Sequence, residues 1–85
     1  MAFQIQILAD VVDRDTSEVL IEDLPYTHNV IDPDNLLDPK LIDRPLLKQM
    51  AQVGLITKLS RDMQTDVGLS KKLGTRDWCV HATLQ

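Results

Sequence analysis

All four prolines of this chain, Pro25, Pro33, Pro39 and Pro45, lie at or before residue 45, and none follows. Proline fixes φ and removes a backbone donor. Residues 24–45 are therefore expected to make short pieces, and the remainder can make helices. Charge divides at the same place. Residues 1–45 hold ten Asp/Glu against three Lys/Arg, a balance of −7, and residues 46–85 hold three against six, a balance of +3. The formal total of −4 hides this dipole. A face of one strong sign steers encounter with a complementary partner, so the asymmetry points to docking.

Eighty-five residues make one domain, and a chain of that size buries only roughly 60–65% of the surface its unfolded form exposes. One cysteine, Cys79, excludes an internal disulfide. A single thiol, with glutamines where the apolar core of a leader would sit, leads to the expectation of a cytoplasmic protein. No apolar run approaches the roughly 18–20 residues that cross a bilayer. Apolar residues are 44% of the chain but aromatics only 4%, namely Phe3, Tyr26 and Trp78, so the core has to be aliphatic.

Phe3, Ile5 and Ile7 alternate with Gln4 and Gln6, the period-two pattern of a half-buried strand. Turn formers fill residues 13–17, and Val19, Leu20 and Ile21 are β-prone, which predicts an N-terminal β-hairpin. Apolar pairs then precede three prolines spaced six residues apart, as in Val30-Ile31-Asp32-Pro33, Leu36-Leu37-Asp38-Pro39 and Leu41-Ile42-Asp43-Arg44-Pro45. Asp before Pro suits a helix cap followed by the first turn. The expected outcome is a string of short helical turns.

A helix is predicted from about residue 43, capped by Asp43. Its early apolar face is Leu46, Leu47, Met50, Val53 and Gly54, whereas Leu55, Ile56, Leu59, Met63 and Val67 project to nearly the opposite side. One straight helix would be apolar on both sides, so a break near Gly54 as a left-handed cap is expected. A second helix would run to about Leu73 and stop at Gly74, with a strand over residues 55–59 as the runner-up. Asp77 to Leu84 places Trp78, Val80 and Ala82 opposite Cys79, His81 and Thr83, which reads as a strand. The predicted fold is α+β, ordered β-β-α-α-β, with two helices covering one face of a small antiparallel sheet.

Chemistry-bearing motifs are sparse. Gly54, Gly68 and Gly74 are too scattered for a phosphate-cradling loop. Zinc needs about four clustered ligands, and Cys79, His81 and His28, with Asp32 or Asp34 added, make a poor set, so neither metal nor cofactor is expected. Asp10, Asp13, Asp15 and Glu18 crowd one turn but lack the spacing of a calcium loop. Asp32, Asp38 and Asp43 are better explained as caps than as acid–base groups. Cys79 and His81 are the only nucleophile–base pair, and His81 is not expected to reach back along an extended strand to the thiol.

Two functional readings remain, neither enzymatic. The first is a protein-binding module that regulates or assembles a partner with a basic surface. It uses the acidic and aliphatic ribbon of Ile31, Asp32, Asp34, Leu36, Leu37, Asp38, Leu41 and Asp43, where aliphatic anchors supply affinity and charges supply association rate. A homo-oligomer built on the second apolar helix face belongs to the same class. The alternative is a DNA- or RNA-binding regulator using Lys58, Arg61, Lys71 and Lys72. Its basis is Leu47 to Arg61, which superficially resembles a helix-turn-helix with Gly54 in the turn but is one residue short in two spacings. In a winged variant residues 55–60 would form a strand.

Overall fold

A computed structural model describes residues 2–31, 38 and 40–85. Strand β1, Ala2–Asp13, continues the opening alternation almost to its end. Ile5, Ile7, Ala9 and Val11 are buried on one face, and Gln4, Gln6, Leu8, Asp10 and Val12 occupy the other. A tight turn leads into β2, Val19–Ile31, which pairs antiparallel with β1. The Asp13 carboxylate holds that turn, accepting from the N–H groups of Asp15 at 2.8 Å and Thr16 at 3.2 Å. Ser17, with φ 61°, supplies the left-handed residue. Two register shifts each place an extra residue on β2, and at the first of them Asp23, with φ 52°, donates its N–H to Asp10 Oδ1 at 2.9 Å.

Residues 24–31 form the second half of β2 and not the short helical turns expected from Pro25. The register explains how a proline fits. Gln6 accepts from the N–H of Gln85 at 2.9 Å, on the β3 side, so Gln6 and, two residues on, Leu8 both direct their peptide groups toward β3. In an antiparallel ladder a residue's N–H and C=O point the same way, and the direction alternates along the strand. Pro25 lies opposite Leu8, and therefore faces the outer edge of β2, where a missing N–H removes no ladder bond.

Strand β3, Trp78–Leu84, pairs with the other side of β1, giving the order β2-β1-β3. As expected, Trp78, Val80 and Ala82 join the core on the helix side, while Cys79, His81 and Thr83 lie on the uncovered side.

Helix α1, Arg44–Asp62, begins as the sequence predicts, with Asp43 accepting from Leu46 N–H at 2.9 Å and Pro45 in the first turn. It does not break at Gly54. No described glycine has positive φ. Gly54 is small because α1 passes close to β2, where a Cβ would lie 2.9 Å from Tyr26 Oη and closer still to the His28 ring. The interruption falls at residues 63–66, and Asp66 caps α2, Val67–Leu73, by accepting from Leu69 N–H at 3.1 Å. Helix α2 stops at Gly74, as expected. Residues 47–61 thus form neither a helix-turn-helix nor a wing strand.

The result is a small α+β domain in which α1 lies across one face of a three-stranded antiparallel sheet and α2 adds Leu69 and Leu73 to the core. Ala51, Leu55 and Leu59, one row of α1, meet Ile5, Ile7, Ala9 and Val11 of β1 in an aliphatic core. Each fully buried Leu, Ile or Val contributes about 1.5–3 kcal/mol. Among the described residues no helix is long and apolar enough to cross a membrane.

Candidate functional site

Because β2 and β3 flank β1 and α1 cannot cover all three strands evenly, a groove of about 790 Å3 opens between α1 and β2. Its β2 wall is four consecutive residues, Tyr26, Thr27, His28 and Asn29. Tyr26 and His28 point to the helix side, with Tyr26 Oη 3.4 Å from His28 Nδ1. Thr27 and Asn29 alternate to the uncovered side, so their main chain is what borders the groove. Lying opposite Gln6 and Gln4, they turn their peptide N–H and C=O outward by the same alternation that places Pro25. No described residue is positioned beyond that edge to receive them.

The α1 wall is Leu46, Met50 and Val53, an i, i+4, i+7 row, joined by Gly54, Gln49 and Thr57. Leu46 is 48% exposed and Val53 56%. At the C-terminal end of the helix the lining includes Lys58 and Arg61 and no carboxylate. Lys58 is held by Asp62 at 2.8 Å, whereas among the described residues Arg61 makes no ion pair. The groove therefore offers an aliphatic wall, a neutral Tyr–His pair, a row of main-chain donors and acceptors, and one free guanidinium.

Several sequence-level candidates lie elsewhere. Asp32, Asp34, Leu36 and Leu37 are outside the described residues. Asp38 accepts from Lys40 N–H at 2.9 Å, and Asp43 is occupied as the α1 cap. Ile31 and Leu41 are 79% and 84% exposed and line no part of the groove. Of the four basic candidates, Lys58 and Arg61 share the groove, but Lys71 and Lys72 belong to the last turn of α2 and line no part of it. His28 faces the helix side of β2, away from Cys79 and His81 on the uncovered side of β3, so these three do not converge. His81 does reach the thiol, with Nε2 3.3 Å from Cys79 Sγ. Residues 79 and 81 project side by side from one face, and that proximity corrects the expectation that an extended strand would keep them apart. Among the described residues no group of three or more His, Cys, Asp or Glu is placed to hold a metal ion.

The acidic turn has a structural task. Asp13 is 5% exposed, and Arg76 Nη1 bridges it, at 3.2 Å, to Glu18, at 2.9 Å. The Asp15 N–H, foremost, then the Thr16 N–H and Arg76, hold the Asp13 carboxyl below its ordinary value against the opposing effect of burial. Arg76 is pushed up, first by Glu18 and then by Asp13.

From sequence alone Gly54 is expected to be a helix break and His28 a weak metal-ligand candidate, and nothing joins either to Tyr26 in one groove. The signal that could have found them is the second apolar row of α1, which on sequence alone implies a helix break. No family model, curated protein or solved structure matches this chain.

Proposed function

We propose that this domain is a non-enzymatic protein-binding module that docks a partner in the groove between β2 and α1, so regulating or assembling it. The observation that supports this reading is the row of Leu46, Met50 and Val53 beside Arg61, with Leu46 and Val53 about half exposed and Met50 half-buried between them. A domain that needs its aliphatic side chains for folding leaves a contiguous row of them at the surface, rimmed by polar groups, where something covers it. Ile31 and Leu41 are also prominently exposed, but they line no part of this groove. The polarity of the docking surface differs from the sequence-based expectation. The described groove is cationic at one end and suits an acidic partner, while the acidic ribbon steers basic ones.

Affinity capture from cell extract tests the reading when wild type and Val53→Asp are compared at equal loading. Val53 is largely solvent-facing, so the variant is expected to keep the far-UV circular dichroism of the wild type and to lose a specific captured protein. Equal capture by both proteins would remove the groove from consideration.

A further inference from the structure

The two outer edges of the sheet are not equivalent. At β3, Val80 lies opposite Val11, whose peptide group faces β2, so Val80 turns its carbonyl outward. That carbonyl accepts from Gln52 Nε2 at 2.8 Å, which places an α1 side chain over the edge. At β2 the outward peptide groups of Thr27 and Asn29 have no such cover among the described residues, and they border the groove. Pro25 closes one end of this open stretch because it has no N–H to offer. What remains is a short, defined run of main-chain donors and acceptors alongside an aliphatic wall.

Resting on the protein-binding reading above, we infer that the occupant is an extended peptide segment of another protein, aliphatic and acidic in composition, which adds a fourth strand to the sheet along Thr27 and Asn29. Strand addition of this kind takes affinity from main-chain hydrogen bonds and specificity from alternate side chains. Alternation sends every second side chain of the added strand to the helix side, where Leu46, Met50 and Val53 receive Leu, Ile or Val. The charge of the peptide follows from Arg61, the groove cation that makes no ion pair among the described residues, since the lining has no carboxylate and Lys58 beside it is held by Asp62. Arg61 also disfavours a second copy of this chain docked groove to groove, because each copy would bring the same guanidinium to the contact.

The experiment is a random-peptide phage library panned against the wild-type protein, followed by amide hydrogen exchange of the protein with the best synthetic binder. Selected sequences are expected to be rich in Leu, Ile or Val and in Asp or Glu. They should weaken with added salt and lose about tenfold or more in affinity to Arg61→Glu and to Val53→Asp. On binding, the amides of Thr27 and Asn29 gain protection, while those of Tyr26 and His28, already bonded to β1, stay as they were. Binders without that protection pattern would overturn strand addition but leave a protein-binding groove. Recovery of no binder, or of binders indifferent to both substitutions, would overturn the inference, and the capture experiment then decides the reading beneath it. A dimer by light scattering without peptide, with Thr27 and Asn29 protected, would identify a second copy as the occupant and overturn the peptide.

Discussion

Helix α1 carries two apolar rows with opposite fates. Ala51, Leu55 and Leu59 are all but inaccessible, packed on Ile5, Ile7, Ala9 and Val11, whereas Leu46 and Val53, a part-turn away, are about half exposed. The rows are of similar composition, so residue type alone does not separate them. What separates them is the strand beneath. The first row lies on the sheet, and the second overhangs the groove bounded by Tyr26 and His28. One helix thus serves folding on one side and leaves Leu46 and Val53 about half exposed on the other.

The largest effect is expected where the core row is cut. Leu55 is 1% exposed, and Leu55→Ala removes buried methyl groups and leaves a cavity, costing about 2–5 kcal/mol. A domain of this size has only about 4–13 kcal/mol in total. Urea unfolding followed by circular dichroism measures the loss. Val53→Ala, the matching truncation in the groove row, is expected to stay within about 0.5 kcal/mol, since exposed positions away from caps and cores rarely do more. Equal costs at the two positions would break the distinction between the rows.

The next effect is a pH dependence confined to the clamp between the hairpin turn and β3. The native carboxyl of Asp13 is held below its ordinary value, so the unfolded chain takes up a proton first as pH falls. Its stabilisation is complete at neutral pH, begins to fade near the ordinary aspartate value of about 3.9, and is gone below the lowered native value. Asp13→Asn keeps an acceptor for the Asp15 and Thr16 N–H groups but removes the charge that Arg76 bridges. Thermal unfolding as a function of pH is therefore expected to show a lower Tm at neutrality and a flatter acid limb. An unchanged acid limb would remove Asp13 from the account. The α1 rows are remote from this clamp, and their substitutions should leave the acid limb as in wild type.

Much of the fold was legible because it depends on local pattern. The alternation from Phe3 to Ile7, the Asp43 cap, the stop at Gly74 and the final strand from Trp78 follow from period and capping chemistry alone. Pro25 and Gly54 misled because their roles depend on neighbours distant in sequence. Pro25 is harmless in β2 only because the strand is at an edge with its missing donor turned outward. Gly54 reads as a helix terminator until Tyr26 and His28, more than twenty residues earlier, are seen to need the space its absent side chain leaves. The groove was hidden for the same reason. A second apolar row implies either a break or an unfilled contact, and only the tertiary structure chooses between them.

Gly54→Ala therefore tests the groove more than the fold. Replacing helical glycine gains about 1 kcal/mol in propensity, while the added Cβ displaces the ends of the Tyr26 and His28 side chains, which have open groove to move into. These terms oppose one another, and net stability is expected to change by about 1 kcal/mol or less. The Tyr26–His28 contact should be lost, which is visible as a shift of the His28 ring resonances in NMR spectra, together with weaker binding of any groove ligand. A large fall in Tm with the ring resonances unmoved would mean that Gly54 serves the core row instead.

A small change in stability, and the sharpest question about the overhanging side, belong to Pro25→Ala. No ladder bond is at stake because Pro25 faces the outer edge. The only cost is the added freedom of the unfolded chain, about 0.4–1 kcal/mol. The substitution supplies one more outward N–H in line with Thr27 and Asn29, lengthening the stretch to which a strand can add. Natural edges use proline to limit such pairing. Pro25→Ala is accordingly expected to bind strand-like peptides more tightly and to associate with itself at high concentration, both measurable by analytical ultracentrifugation with and without peptide. If the variant stays monomeric and binds no better than wild type, the outer edge of β2 is not the recognition element, and the aliphatic wall of α1 must act without it.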